Sequence, residues 1–404
     1  MLLYLDSFDH YATVDIDEKW TQRYSENALD DEPRYSNWGG PTIAAAGGRR
    51  GTNGLYYNGN AGYNFRPATL AIVIPQTDPT IILGFAFNLL EGSFGAMTGG
   101  YNTKNLYPSD WGATSSPVGG AMNMLASFRA NDGTHIALRL NQSGTLSVVT
   151  GIDGLLIADP TAEWIGVVLA TTTCALRAGQ WYYIEWKATI PDSTEIRVNG
   201  DTWLSYTGAG TVSGTYVVPK GPLSNYVTEV TIGHLGGEPV IAYGIDDLYI
   251  LNGDATDINN TAVDYLGDIE VGYYAPVADD VSDFTPSSGV DNFAMVDEIP
   301  PDDDTTTNGT FTAGAVDTFD MTDVSTTDEV LGVQVIYSAR RTDGNNTTMQ
   351  PVFRVAGTNY VTAAKGNTGS FTYHWGLWNK RPSDQAGLTP TIVNAARPGY
   401  KKVT

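Results

Sequence analysis

Between residues 177 and 205 the chain alternates apolar and polar positions with a period of two. Tyr182, Ile184, Trp186, Ala188 and Ile190 fall on one side of an extended segment, and Glu185, Lys187 and Thr189 on the other, which predicts a strand with one buried face. After Pro191-Asp192-Ser193 the alternation resumes with Ile196 and Val198 inward and Glu195 and Arg197 outward. Asn199-Gly200 then supplies the positive φ angles of a tight hairpin. Further strands are expected at 55–57, 70–74, 81–89, 122–129, 136–140 and 146–150, and again at 164–170, 226–232 and 245–251, separated by Gly, Asn, Asp and Pro. Helical periodicity over more than ten residues is hard to find. Many short strands joined by such turns predict an all-β sandwich or barrel.

A polar, turn-rich seam at 252–263 divides the pattern, giving an N-terminal domain over 1–255, a linker over 256–263 and a C-terminal domain over 264–404. The second domain opens on a strand-like 268–274, carries a short helix candidate at 292–298, and continues into the acidic loop Pro300-Pro301-Asp302-Asp303-Asp304. Leu331, Val333, Val335, Tyr337 and Ala339 then share one face, Asp343-Gly344 marks a turn, and Val352-Phe353-Arg354-Val355 is expected as the return strand. This is a smaller β-sandwich. No repeat of propeller or solenoid length is evident.

Length agrees with two domains that each bury a core, 404 residues being too many for one ordinary domain. The single cysteine, Cys174, excludes an internal disulfide framework. The opening Met1-Leu2-Leu3-Tyr4-Leu5 lacks a basic leader and ends at Asp6, so it reads as a first strand rather than a signal peptide. The apolar run 81–90 is far shorter than the roughly 20 residues of a membrane helix, and no membrane insertion is expected. With 22 basic and 45 acidic side chains the formal net charge is −23, which repels phosphate backbones and argues against nucleic acid as a partner.

The run Gly179-Gln180-Trp181-Tyr182-Tyr183-Ile184-Glu185, followed by Arg197-Val198-Asn199-Gly200, Thr231-Ile232-Gly233 and Gly244-Ile245-Asp246-Asp247-Leu248-Tyr249-Ile250, resembles the concanavalin A-like, or laminin-G-like, jelly roll. The whole chain also resembles a group of tailed-bacteriophage virion proteins. That likeness is carried by Asp246-Asp247-Leu248-Tyr249, Leu266-Gly267-Asp268-Ile269, Phe284-Thr285-Pro286-Ser287 and the stretch Met295-Val296-Asp297-Glu298-Ile299-Pro300 with the acids after it. The resemblance implies a minor tail or other structural protein, assembled in the bacterial host cytoplasm and placed on the virion; the tail is preferred over the head, and the alternatives are a capsid decoration protein and a carbohydrate-binding, lectin-like receptor-recognition protein. Its partners would be other virion proteins and further copies of itself.

Hydrolases of this fold place two Glu and an Asp on one strand face, because acid and nucleophile must flank one glycosidic bond. No such string is present, Glu185 and Glu195 point outward by parity, and His10, His135, His234 and His374 lie in separate segments, so the chain reads as non-enzymatic. Asp246 shares strict parity with Leu248 and Ile250, which points a carboxylate with the apolar face, where it needs a partner or a metal. One reading, the preferred one, has it capping loop amides. The other follows from the resemblance, in which a calcium ion joins the closing strand to an N-terminal segment, here offering Asp6 and Asp9. Trp38, Tyr101, Tyr107 and Trp111 stand in loop-like segments able to stack on a host surface glycan or to meet a protein. The long stretch 92–120 is the first choice of contact surface, and Arg49-Arg50 beside Gly47-Gly48 the second, able to pair with the acidic surface of a neighbouring copy.

Overall fold

The computed structural model describes residues 1–23, 41–57, 69–74, 79–90, 123–130, 133–141, 143–150, 167–190, 192–208, 226–233, 242–253, 264–289, 291–325, 327–342, 344 and 346–404. It is an all-β structure, as the alternation predicts, and it forms two compact units. A central unit takes Trp20–Asp254 with Asp264–Glu270, and a terminal unit takes Met1–Lys19 with Val271–Thr404. The opening segment, expected in the N-terminal domain, therefore belongs with the C-terminal residues.

Strand β1 (Leu2–Asp6) opens the terminal unit, and the central unit begins with β2 (Thr21–Arg23), β3 (Pro41–Ala44), β4 (Gly54–Tyr57), β5 (Thr69–Val73) and β6 (Thr80–Leu89). It continues through β7 (Asn123–Ala130), β8 (Gly133–Leu140), β9 (Thr145–Thr150), β10 (Val167–Ala175) and β11 (Trp181–Thr189). Its last strands are β12 (Ser193–Val198), β13 (Asp201–Thr207), β14 (Glu229–Gly233) and β15 (Tyr243–Asn252). One antiparallel sheet runs β13-β12-β11-β6-β15-β4-β3 and the other β10-β9-β8-β7-β14-β5-β2. The chain passes back and forth between them, which is the jelly-roll sandwich. Trp186 stacks on Phe128 of the opposite sheet with centroids 4.0 Å apart, and Ile184, Phe85 and Phe87 are fully buried beside them. Each such side chain contributes about 1.5–3 kcal/mol through removal from water. Asn199 (φ 52°) and Gly200 (φ 84°) make the expected hairpin turn between β12 and β13, and Asn199 Oδ1 accepts from the Tyr183 amide at 2.8 Å.

In the terminal unit, a short helix α1 (Ile16–Lys19) follows β1. Then come β16 (Pro276–Ser282), β17 (Thr285–Pro286), β18 (Asn308–Gly309), β19 (Val316–Met321), β20 (Val333–Ala339) and β21 (Thr348–Val355). The unit ends with β22 (Thr358–Val361), β23 (Lys365–Gly366), β24 (Thr372–Trp378), helix α2 (Pro390–Ala395) and β25 (Arg397–Lys402). A sheet ordered β16-β19-β25-β21-β22 is faced by a ribbon of β20 and β24, with Tyr337 against Tyr400 at 5.6 Å and Phe353 against Trp378 at 5.4 Å. That is the smaller sandwich. Three local expectations change. β20 pairs with β24 and not with β21, because its alternation fixes which face is buried but not which strand lies alongside. The helix candidate shrinks to a 3-10 turn, Phe293–Met295, whose first amides are held by Asp279: Asn292 N donates to Oδ2 at 2.9 Å and Phe293 N to Oδ1 at 2.6 Å. Residues 268–274 join no ladder.

Candidate functional site

The outer face of the β11–β6–β15 layer carries a dense polar constellation among the described residues of the central unit. Strict alternation would aim Asp246 inward, but β15 has a bulge between Asp246 and Tyr249, where Asp247 adopts φ 49°. Asp246 pairs with Ala86, and Tyr249 with Gly84, on the face opposite Phe85 and Phe87. The expected inward parity of Asp246 is thus corrected by one extra residue. Its carboxylate, 1% exposed, accepts from Arg49 N (2.7 Å) and Thr52 Oγ1 (3.1 Å) at Oδ2 and from Asp247 N (2.8 Å) at Oδ1. Gly48 makes this approach possible, since a Cβ there would stand 2.6 Å from Asp246 Oδ2 and 2.1 Å from the Asn53 carbonyl oxygen. Burial, and then the neighbouring Asp247 charge, push the Asp246 carboxyl up to about 8, against the pull of the three hydrogen bonds.

Arg49 and Arg50, expected to face another copy, pair within the unit. The Arg49 guanidinium grips Asp268 (Nη2–Oδ2 2.6 Å) and lies 3.7 Å from Asp247 Oδ2. Arg50 meets Glu270 at 2.7 Å and Asp247 at 3.8 Å. Segment 264–270 also changes the position of Glu185. Parity places Glu185 on the outer face as expected, yet it is 2% exposed rather than solvated. Tyr249 Oη donates to its Oε1 and Gly267 N does so at 2.8 Å, while Tyr183 Oη donates to the Asp247 carbonyl at 2.9 Å. Gly84 leaves room for this lid, because a Cβ there would come within 2.0 Å of the Tyr249 ring. Glu195 remains half-buried and paired with Arg197 at 2.7 Å.

The terminal unit holds the second constellation, around Asp6. Its Oδ2 accepts from Tyr4 Oη (3.0 Å) and Tyr11 Oη (3.1 Å) and contacts the Lys19 ammonium at 2.9 Å, while Oδ1 accepts from Phe8 N (2.9 Å). Lys19 Nζ also donates to His10 Nε2 at 2.9 Å, which places the proton of a neutral His10 on Nδ1. His10 stacks on Tyr273 at 5.4 Å and packs edge-on to Tyr373. Burial lowers Lys19 to about 8 against the attraction of Asp6, and burial followed by the Lys19 charge holds His10 well below its ordinary range. Sequence reasoning missed Lys19, because a lysine after Asp17-Glu18 reads as solvated.

These donor sets do not fit the calcium ligation expected of Asp246, Asp6 and Asp9. N–H and O–H groups occupy the carboxylate oxygens of Asp246 and Asp6, and an ammonium stands where a cation would sit at Asp6. The Asp9 amide is turned to Ser7 Oγ at 3.4 Å. Among the described residues no group of three or more His, Cys, Asp or Glu is arranged to hold a metal. Asp302 is turned to its own loop, accepting from Thr306 N at 3.0 Å and Thr306 Oγ1 at 2.7 Å. Trp38, Tyr101, Tyr107 and Trp111, and the stretch 92–120, lie outside the described residues.

No protein-family model matches the chain, and no curated protein matches it. Among solved structures, the cellulose-induced protein Cip1 is 14% identical over 58% of this chain and 91% of its own, with a TM-score of 0.34. A Bacillus subtilis protein of unknown function with a galectin-like fold is 12% identical over 62% and 96%, with a TM-score of 0.33. A carbohydrate esterase from the Shiga toxin-encoding bacteriophage phi24B is 9% identical over 61% and 98%, with a TM-score of 0.31. At these identities and scores the likenesses carry no argument about what this chain does.

Proposed function

We propose that this chain is a non-enzymatic structural protein of a tailed-bacteriophage particle, associated with the tail, that serves assembly and surface presentation and takes part in host attachment. The observation that supports this reading best is the use made of the buried carboxylates. Asp246 ties the 48–52 turn to β15, Glu185 ties 264–270 to the outer sheet face, and Asp6 ties the opening segment together. Each acts as a fastener within a rigid scaffold, with its oxygens turned to groups of the same chain. The likeness of the sequence to phage virion proteins and the charge of −23, suited to a solvated outer surface, support the same reading. Mass spectrometry of purified particles from a phage that encodes the chain tests it: the protein should be present in fixed stoichiometry with tail proteins, and its absence overturns the assignment. The attachment role rests on the sequence expectation for the aromatics Trp38, Tyr101, Tyr107 and Trp111. A glycan array run with and without calcium should show binding that their alanine variants lose; an array blank in both conditions removes that part of the reading.

A further inference from the structure

The Asp6–Lys19 pair stands in surroundings that do more than hold a salt bridge. Both side chains are fully excluded from solvent. The amine lies over the rings of Tyr11 (4.8 Å) and Tyr4 (5.6 Å), and Trp375 closes edge-on against Tyr4 at 5.3 Å. A buried ion pair gains little stability, because desolvating two charges offsets their attraction. Condensing the two groups removes both charges at once.

We propose that Lys19 and Asp6 join in an intramolecular amide bond, formed by the protein on itself. Proton transfer along the 2.9 Å contact converts ammonium and carboxylate into amine and carboxylic acid. The Lys19 Nζ lone pair attacks Asp6 Cγ, the N–C bond forms, and the C–Oδ2 bond breaks. Oδ2 leaves as water, carrying the proton taken from the ammonium and a second proton lost by the amine, so that ammonium plus carboxylate becomes amide plus one water. No oxidant or co-reactant is required.

Each role has a group in place. His10 Nε2, 2.9 Å from Lys19 Nζ, takes the proton the attacking amine must lose and returns it to the departing oxygen. Phe8 N, 2.9 Å from Oδ1, stabilises the oxyanion of the tetrahedral intermediate. The Tyr4 and Tyr11 hydroxyls, at 3.0 and 3.1 Å from Oδ2, assist the leaving oxygen. Burial also brings Lys19 to about 8, so the neutral amine is accessible near neutral pH. The cage that excludes solvent protects the product amide from hydrolysis. The bond would close a covalent ring from Asp6 to Lys19, and the inference does not depend on the virion reading.

Intact-mass measurement of the purified full chain, followed by tryptic mapping, decides the matter. The expected mass is that of the sequence less one water, with the deficit inside a peptide running uncut from the N-terminus to Arg23, because trypsin does not cleave after an acylated lysine. Lys19→Arg should restore the full mass and His10→Gln should lower the cross-linked fraction. A wild-type chain at full sequence mass overturns the proposal. So does a water deficit that maps elsewhere or persists in Lys19→Arg, which would point to aspartimide formation at another site.

Discussion

Asp6 and Asp246 are both 1% exposed, and they are held in opposite ways. Asp6 meets an ammonium, two phenol hydroxyls and the Phe8 amide, all from residues 4–19. Asp246 meets two backbone amides and one threonine hydroxyl, with the guanidinium groups of Arg49 and Arg50 reaching its neighbour Asp247 instead. Its site draws on the 48–52 turn, the bulge in β15 and the 264–270 segment. The polar contacts of Asp6 lie close together in the chain, while the rings of Tyr273, Tyr373 and Trp375 that pack around its partners and His10 come from far away in the sequence. Asp246, stabilised by amides, needs the sheet to be assembled first, because amides are aimed by the backbone they belong to.

The comparison breaks most sharply at Lys19. Lys19→Met strips the cation, and any bond made through it, from Asp6 and leaves a buried charge, so a loss of about 3–5 kcal/mol is expected in urea unfolding of the full chain. A loss under about 1 kcal/mol would mean that the phenols and the Phe8 amide suffice. Second in size is Gly84→Ala, whose Cβ would displace the Tyr249 ring from Glu185 and from the segment above it, at about 2–3 kcal/mol. Tyr249→Phe isolates the hydrogen bond from the crowding and should cost about 1–2 kcal/mol. If Tyr249→Phe proves as costly as Gly84→Ala, the hydroxyl rather than the shape of the ring holds the face together.

Several strands of the central unit were legible nearly residue by residue, since a two-residue period is a local property: the expected 81–89 is β6 (Thr80–Leu89) and 245–251 lies within β15 (Tyr243–Asn252), whereas the expected 268–274 joins no ladder. The core face of β11 was equally legible, with Trp186 buried on Phe128. The site was not. Parity fails at Asp247, because a bulge inserts one residue without leaving a mark in the apolar pattern. Glu185 seemed solvated because nothing in its own strand announces that 264–270, more than 75 residues later, lies over it. Asp6 was seen only as a metal ligand and Lys19 not at all, since pairing across a turn leaves no periodic trace.

Titration of Asp246 and of His10 runs in opposite directions. The folded-state pKa of Asp246 is raised to about 8, so its contribution is fully present below the ordinary carboxylate range and is lost as pH rises through about 8. His10 works in the other direction: its folded pKa is depressed, so its contribution is present above its ordinary value near 6.5 and lost as pH falls below it. The stability of wild type relative to Asp246→Asn should therefore fall between about pH 5 and pH 9, measured by urea midpoints of the two proteins at matched ionic strength. A difference that stays flat would place the Asp246 carboxyl in the ordinary range, with the three donors outweighing burial.

The smallest effect expected is at the rim of the same site, and it tests whether the arginines hold Asp247 or merely border it. Arg50 is 43% exposed and its partner Glu270 is 62% exposed, so their pair is screened by solvent and Arg50→Ala should cost under about 1 kcal/mol, less still in high salt. Arg49 differs in being 17% exposed and in lying 5.6 Å over the Tyr183 ring while it grips Asp268. Arg49→Ala should exceed Arg50→Ala by a margin that survives salt, because packing on Tyr183 is not screened. Equal losses in the two variants, both erased by salt, would mean that segment 264–270 is held by Tyr249 and Glu185 alone and that the guanidinium groups add only surface charge.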